Sequence, residues 1–133
     1  MAGGVLVVDD EALVALDLSF WVLNSGCELC GTALSGAQAL AVAQTTPPAV
    51  ALIDITMPGT LSGIETARQL HRQFGTRIVF VAAHPPDAAA AETDFPYDGV
   101  LQKPISEPAL RATLRGLSGL KNVPTNGNAA EKG

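Results

Sequence analysis

The chain has 133 residues, which fits one domain around a single core and leaves no room for a second. An apolar content of 47% with 16% charged residues describes an ordered globule rather than a disordered chain. The net charge of −5, with Lys and Arg scattered, argues against nucleic acid as a direct partner, and no apolar run approaches the roughly 20 residues of a membrane span.

Val5-Leu6-Val7-Val8 is an apolar run that stops at Asp9-Asp10-Glu11, the pattern of a buried strand with carboxylates at its tip. No charged leader precedes it, so a cytoplasmic location is expected. Residues 12–24 read as the first helix, closed by Ser25-Gly26. Projected at about 100° per residue, this helix carries two apolar stripes, Val14-Leu18-Trp21-Val22 and Leu13-Leu16-Phe20-Leu23. Only one of them can face a sheet. Cys27 to Ala33 reads as a second strand, and its Cys27 and Cys30 form a C-x-x-C. Residues three apart in a strand point to opposite faces, so neither a redox pair nor a zinc half-site is expected.

Ser35-Gly36-Ala37-Gln38 and Ser62-Gly63-Ile64-Glu65 each fit a capping box, which starts helices near 36 and 63. Pro47-Pro48 ends the former and Gly75 the latter. Between them, Ala49-Val50-Ala51-Leu52-Ile53 runs straight into Asp54, and Pro58-Gly59 forces a turn. Ile78 to Ala83 is another buried strand, closed by His84-Pro85-Pro86. Residues 87–93 make about two turns of helix, and the nearby prolines, Pro96 included, keep that helix short or irregular. Val100-Leu101-Gln102 is a short last strand, and Ser106 caps a final helix with Leu110, Leu114 and Leu117 on one stripe. The expected domain covers residues 1–121, followed by a frayed tail over 122–133. His71 reads as a histidine at the edge of the core and His84 as a solvated loop residue.

Five strands alternating with five helices predict right-handed crossovers and a parallel sheet covered on both faces, a three-layer doubly wound α/β fold. In such sheets ligands bind outside the carboxyl ends of the strands, where Asp9, Asp10 and Asp54 converge if the first and third strands are neighbours. So many carboxylates repel unless a hard divalent cation sits among them, and Mg²⁺ suits a site with few carboxylates and several waters. Aspartates also cap helices and turns, but capping leaves Lys103-Pro104 at a matching strand end unexplained.

Asp9-Asp10 after strand one, Asp54-x-x-Met57-Pro58-Gly59 after strand three and Lys103-Pro104 after strand five resemble the receiver domain of two-component response regulators. The resemblance runs from residue 4 to about 120. It implies a flavodoxin-like sheet of order 2-1-3-4-5, with Asp54 accepting a phosphoryl group from a histidine kinase or histidine phosphotransferase. It further implies that Asp10 and Asp54 bind Mg²⁺ directly, Thr56 through its backbone carbonyl and Asp9 through water. Lys103 would pair with the phosphoryl oxygens, and the Lys103-Pro104 bond would be cis. Such a domain is no conventional enzyme, although Mg²⁺-dependent self-phosphorylation and slow autodephosphorylation are implied.

Two positions depart from the family pattern. Ala82 stands where the family has Thr or Ser, and Val100 where it has Tyr or Phe, so both halves of the usual switch are missing. That leaves a pseudo-receiver, a protein-interaction module that is not phosphorylated, as the alternative. A phosphatase of the haloacid dehalogenase type would want a second aspartate at Thr56. Alignment with the receiver pattern turns Val14, Leu18, Trp21 and Val22 inward. Leu13, Leu16, Phe20 and Leu23 are then the expected docking face for the kinase or phosphotransferase, or for a second copy in a homodimer.

Overall fold

The computed structural model describes residues 3–59, 61–83 and 93–117. Its elements are β1 (Val5–Val8), α1 (Ala12–Asn24), β2 (Leu29–Ala33), α2 (Gly36–Thr45), β3 (Val50–Asp54), α3 (Gly63–Phe74), β4 (Arg77–Ala82), β5 (Gly99–Gln102) and α4 (Glu107–Arg115). All strand pairs are parallel and the order is β2-β1-β3-β4-β5, the doubly wound flavodoxin-like sheet that the alternation predicts. Residues 87–92 of the helix expected over 87–93, His84 and the tail over 122–133 lie outside the described residues, and Thr93 is not helical.

Every residue of β1 and β3 is buried, yet the period of two still sorts their side chains. Leu6, Val8, Ala51 and Ile53 face one layer with Ala39 and Ala43 of α2 and Ala67 and Leu70 of α3. Val5, Val7, Val50 and Leu52 face the other with Ala15, Leu18 and Val22 of α1 and Leu110 and Leu114 of α4. The sheet thus separates two half-cores.

Helix ends follow the side chains that satisfy them. Ser35 and Ser62 accept from the backbone N–H of Gln38 and Glu65, the forward half of the two expected capping boxes, and Ser106 caps the last helix by accepting from the Ala109 N–H. The return half is absent: Gln38 Oε1 accepts from Leu34 N–H, and Glu65 turns to Arg68 and Gln69. Gly75 closes α3 at φ 70°, a left-handed conformation that a Cβ would strain. Strand β2 starts at Leu29 rather than Cys27, and its register with β1 slips between Val5 and Leu6, so that Leu29 and Gly31 pair with consecutive β1 residues and Cys30 is bulged. Cys27 is buried and Cys30 half-buried, and both are thiols. Burial pushes both thiols up from their ordinary pKa, away from the reactive thiolate form.

The stretch before β5 is pinned to α3. Arg68 donates to Asp94 at 2.9 Å and lies over the Phe95 ring, whose other neighbours include His71. His71 is half-buried with Nδ1 3.2 Å from the Thr76 carbonyl, the edge-of-core role that its position predicts.

Candidate functional site

Strands β1 and β3 are neighbours in register, Val8 opposite Ile53, so their acidic ends meet. Asp9, Asp10 and Asp54 each offer a carboxylate oxygen within 4.8 Å of the others. Asp9 is fully buried and Asp54 nearly so, whereas Asp10 faces solvent. Helix α3 comes in close behind: a Cβ on Gly63 would lie 2.1 Å from the Asp54 carbonyl oxygen, so glycine alone permits this approach.

The two buried carboxylates are each oriented by their own loop. Asp9 Oδ1 accepts from the Glu11 N–H at 2.9 Å. Asp54 Oδ1 accepts from the Thr56 N–H at 3.0 Å and from the Thr56 hydroxyl at 3.2 Å. The second Asp54 oxygen, Oδ2, is left facing Lys103 Nζ at 3.4 Å. Lys103 follows β5, its N–H anchored on the Ala82 carbonyl at 2.7 Å and its bond to Pro104 cis. Its ammonium also lies 3.2 Å from Asp9 and 3.0 Å from Glu11.

The electrostatics are lopsided. Burial raises the Asp9 carboxyl above its usual pKa and the charge of Asp54 adds to this, against the opposing pull of the Glu11 N–H and Lys103. Burial acts to lower the Lys103 ammonium, but hydrogen bonds to Glu11 and Asp9 and the charge of Asp54 outweigh it, so its pKa lies above the ordinary lysine value. Asp9 Oδ2 is buried and accepts no well-aligned hydrogen bond, although Lys103 is near. An unsatisfied buried carboxylate oxygen beside two further carboxylates is the donor set of a hard divalent cation. The residues present therefore fit Mg²⁺.

The two positions that depart from the family pattern are both described. Ala82 is buried at the tip of β4, and Val100 is 36% exposed on β5. The four residues of the outer α1 stripe stay in water, Leu13 at 77%, Leu16 at 51%, Phe20 at 56% and Leu23 at 50% exposure. Val14, Leu18, Trp21 and Val22 turn inward as the pattern predicts, and Trp21 lines a groove of about 380 Å³ with Lys103, Pro104 and Ile105. Glu11 is the site residue to which the sequence assigned no role. Its one local signal is a glutamate at a helix N-cap, where shorter polar residues are favoured.

Comparison with known proteins points the same way. The response regulator receiver domain model matches residues 5–115. The phyllosphere-induced regulator PhyR of Methylorubrum extorquens is 30% identical over 86 residues, covering 64% of this chain and 32% of that protein. The transcriptional regulatory protein PdtaR of Mycobacterium tuberculosis is 29% identical over 103 residues, covering 77% of this chain and 50% of that one. The chain thus spans about a third to a half of the length of these curated relatives. The solution structure of the REC domain of the Erythrobacter litoralis PhyR response regulator superposes with a TM-score of 0.77 at 28% identity, over 94% of this chain and 96% of that one. A match that runs from β1 to the end of α4 takes in every strand tip bearing a site carboxylate, and the chain belongs to the response regulator receiver domain family.

Proposed function

We propose that this receiver domain accepts a phosphoryl group on Asp54 from the phosphohistidine of a histidine kinase or histidine phosphotransferase, and signals by protein contact. The observation that carries this reading is the division of labour at Asp54: Thr56 occupies Oδ1, and Oδ2 faces the Lys103 ammonium. A carboxylate so held presents one oxygen as nucleophile. That oxygen forms a bond to phosphorus as the phosphorus–nitrogen bond breaks, and the electron pair leaves with the imidazole nitrogen. Lys103 would pair with the phosphoryl oxygens as a point charge. Asp9, Asp10, Asp54 and the Thr56 carbonyl would hold Mg²⁺, which supplies charge neutralisation when bound.

The outer α1 stripe is the face we assign to the partner. Leu13, Leu16, Phe20 and Leu23 follow the spacing by which one helix docks on another, beside the acidic site. Asp10, Glu11 and Asp17 are exposed along its flank. In a symmetric homodimer these carboxylates would meet their own copies, so charge favours a different partner with basic residues at its rim. A cytoplasmic setting belongs to the same proposal. It agrees with the finding that no helix among the described residues is long and apolar enough to cross a membrane.

The missing switch residues favour a second reading, a pseudo-receiver that binds its partner without phosphorylation. Incubation with Mg²⁺ and phosphoramidate, read by intact mass, separates the two. A receiver gains one phosphoryl group that Asp54→Asn abolishes, whereas an unchanged mass supports the pseudo-receiver. Labelling of Asp54→Asn at the parent rate would move the acceptor elsewhere.

A further inference from the structure

Glu11 has a geometry that neither capping nor metal binding explains. It stands at the N-cap of α1 with extended backbone angles, φ −89° and ψ 108°, yet its side chain makes no capping hydrogen bond. Ser, Thr, Asp or Asn at that position would satisfy one of the open N–H groups of the first turn. The glutamate leaves them open and reaches instead to Lys103, 92 residues away, with Oε1 3.0 Å from Nζ. This is the shortest of the lysine's three ion contacts among the described residues, ahead of Asp9 at 3.2 Å and Asp54 at 3.4 Å.

The two ends of Glu11 are held differently. Its peptide N–H is tied into the site through Asp9 Oδ1, so the backbone stays in place. Its side chain is 63% exposed, while that of Lys103 is 18% exposed. The carboxylate can therefore swing into water at little cost, whereas the ammonium remains inside. That is the geometry of a releasable latch.

We propose that Glu11 is a positioning residue that restrains Lys103 at the mouth of the site and slows phosphoryl capture until the lysine is released. The inference rests on the phosphoacceptor reading of Asp54. A lysine paired with Glu11 offers an incoming phosphoryl group an ammonium that is already neutralised. Release lets the same ammonium turn to the phosphoryl oxygens, while the Asp54 oxygen bonds to phosphorus. With phosphoramidate as donor, the phosphorus–nitrogen bond breaks and the nitrogen departs as ammonia with the electron pair of that bond.

The competing account is simple repulsion, in which any negative charge at the mouth slows an anionic donor. Two variants tell them apart. Glu11→Gln removes charge and ion pair together. Glu11→Asp keeps the charge but is one methylene shorter and falls short of Lys103. With Mg²⁺ and phosphoramidate, labelling of Asp54 followed by intact mass should quicken about two- to fivefold in both variants, the scale of an exposed ion pair. Beryllofluoride titrations followed by the Trp21 fluorescence should tighten by a similar factor. Glu11→Asp behaving like the parent while Glu11→Gln accelerates would establish repulsion and overturn the latch, and so would unchanged or slower labelling in Glu11→Gln. If the parent neither labels nor binds beryllofluoride, the phosphoacceptor reading itself fails and the latch falls with it.

Discussion

Replacing Lys103 with methionine tests how the acidic site is held together. Nζ lies 3.2 Å from buried Asp9 and 3.4 Å from nearly buried Asp54, so each pair attracts by about 5 kcal/mol at an effective dielectric of roughly 20. Desolvation of the lysine offsets much of that, and breaking one buried ion pair generally costs about 3–5 kcal/mol. Lys103 keeps 18% of its surface in water and Glu11 keeps 63%, which puts the expected loss lower, at about 2–3 kcal/mol in EDTA. Trp21 is the one tryptophan of the chain and lines the same groove as Lys103, so urea unfolding followed by its fluorescence reads this directly. Magnesium should close part of the gap. At a free concentration about tenfold above its dissociation constant a ligand stabilises by ~1.4 kcal/mol, and the variant, lacking the competing ammonium, should gain more than the parent. A loss in EDTA below about 0.5 kcal/mol, or equal gains from magnesium in both proteins, would refute the view of Lys103 as counter-ion to the cluster.

Further outcomes are expected at other residues. The Asp9 carboxyl keeps its proton to higher pH in the folded than in the unfolded chain, so in metal-free buffer its contribution to stability falls as pH rises above about 4. Asp9→Asn removes that fall, and the stability difference in its favour should grow as the pH rises above about 4; a difference independent of pH would refute this. Gly63→Ala places a Cβ against the Asp54 carbonyl, and denaturant melts should show a loss of about 3 kcal/mol together with weaker magnesium stabilisation. Leu16→Glu with Phe20→Glu alters side chains already half in water, so stability should drop by less than about 1 kcal/mol while phosphotransfer from a histidine donor collapses. A large loss of stability would show that this stripe packs inward.

What was legible in the sequence is what short-range patterns encode. The apolar runs ending in Asp9 and Asp54 mark strands buried on both sides, and their shared edge follows from the strand order that the receiver resemblance implies. A helix offers only one face to a sheet, and alignment with the receiver pattern decided which of the two α1 stripes that is. Features set by long-range geometry stayed hidden. The link from Glu11 to Lys103 joins residues 92 positions apart, and a glutamate at an N-cap reads locally as nothing more than a poor cap. The fit of Gly63 against Asp54 depends on how closely α3 docks, which a capping box does not specify. The register slip that bulges Cys30 opposite β1 is likewise invisible in the run from Cys27 to Ala33.

The sheet also partitions the energetics of the molecule. Because β1 and β3 send alternate side chains to opposite half-cores, substitutions in the α1–α4 layer and in the α2–α3 layer meet only through a rigid wall of backbone. Effects from sites so separated add to within about 0.5 kcal/mol. Changes at Leu18 or Leu114 and changes at Leu70 or Ala43 should therefore combine without epistasis. The layer beside the proposed docking stripe is then free to drift in sequence, and to acquire new partners, while the opposite layer keeps its own packing.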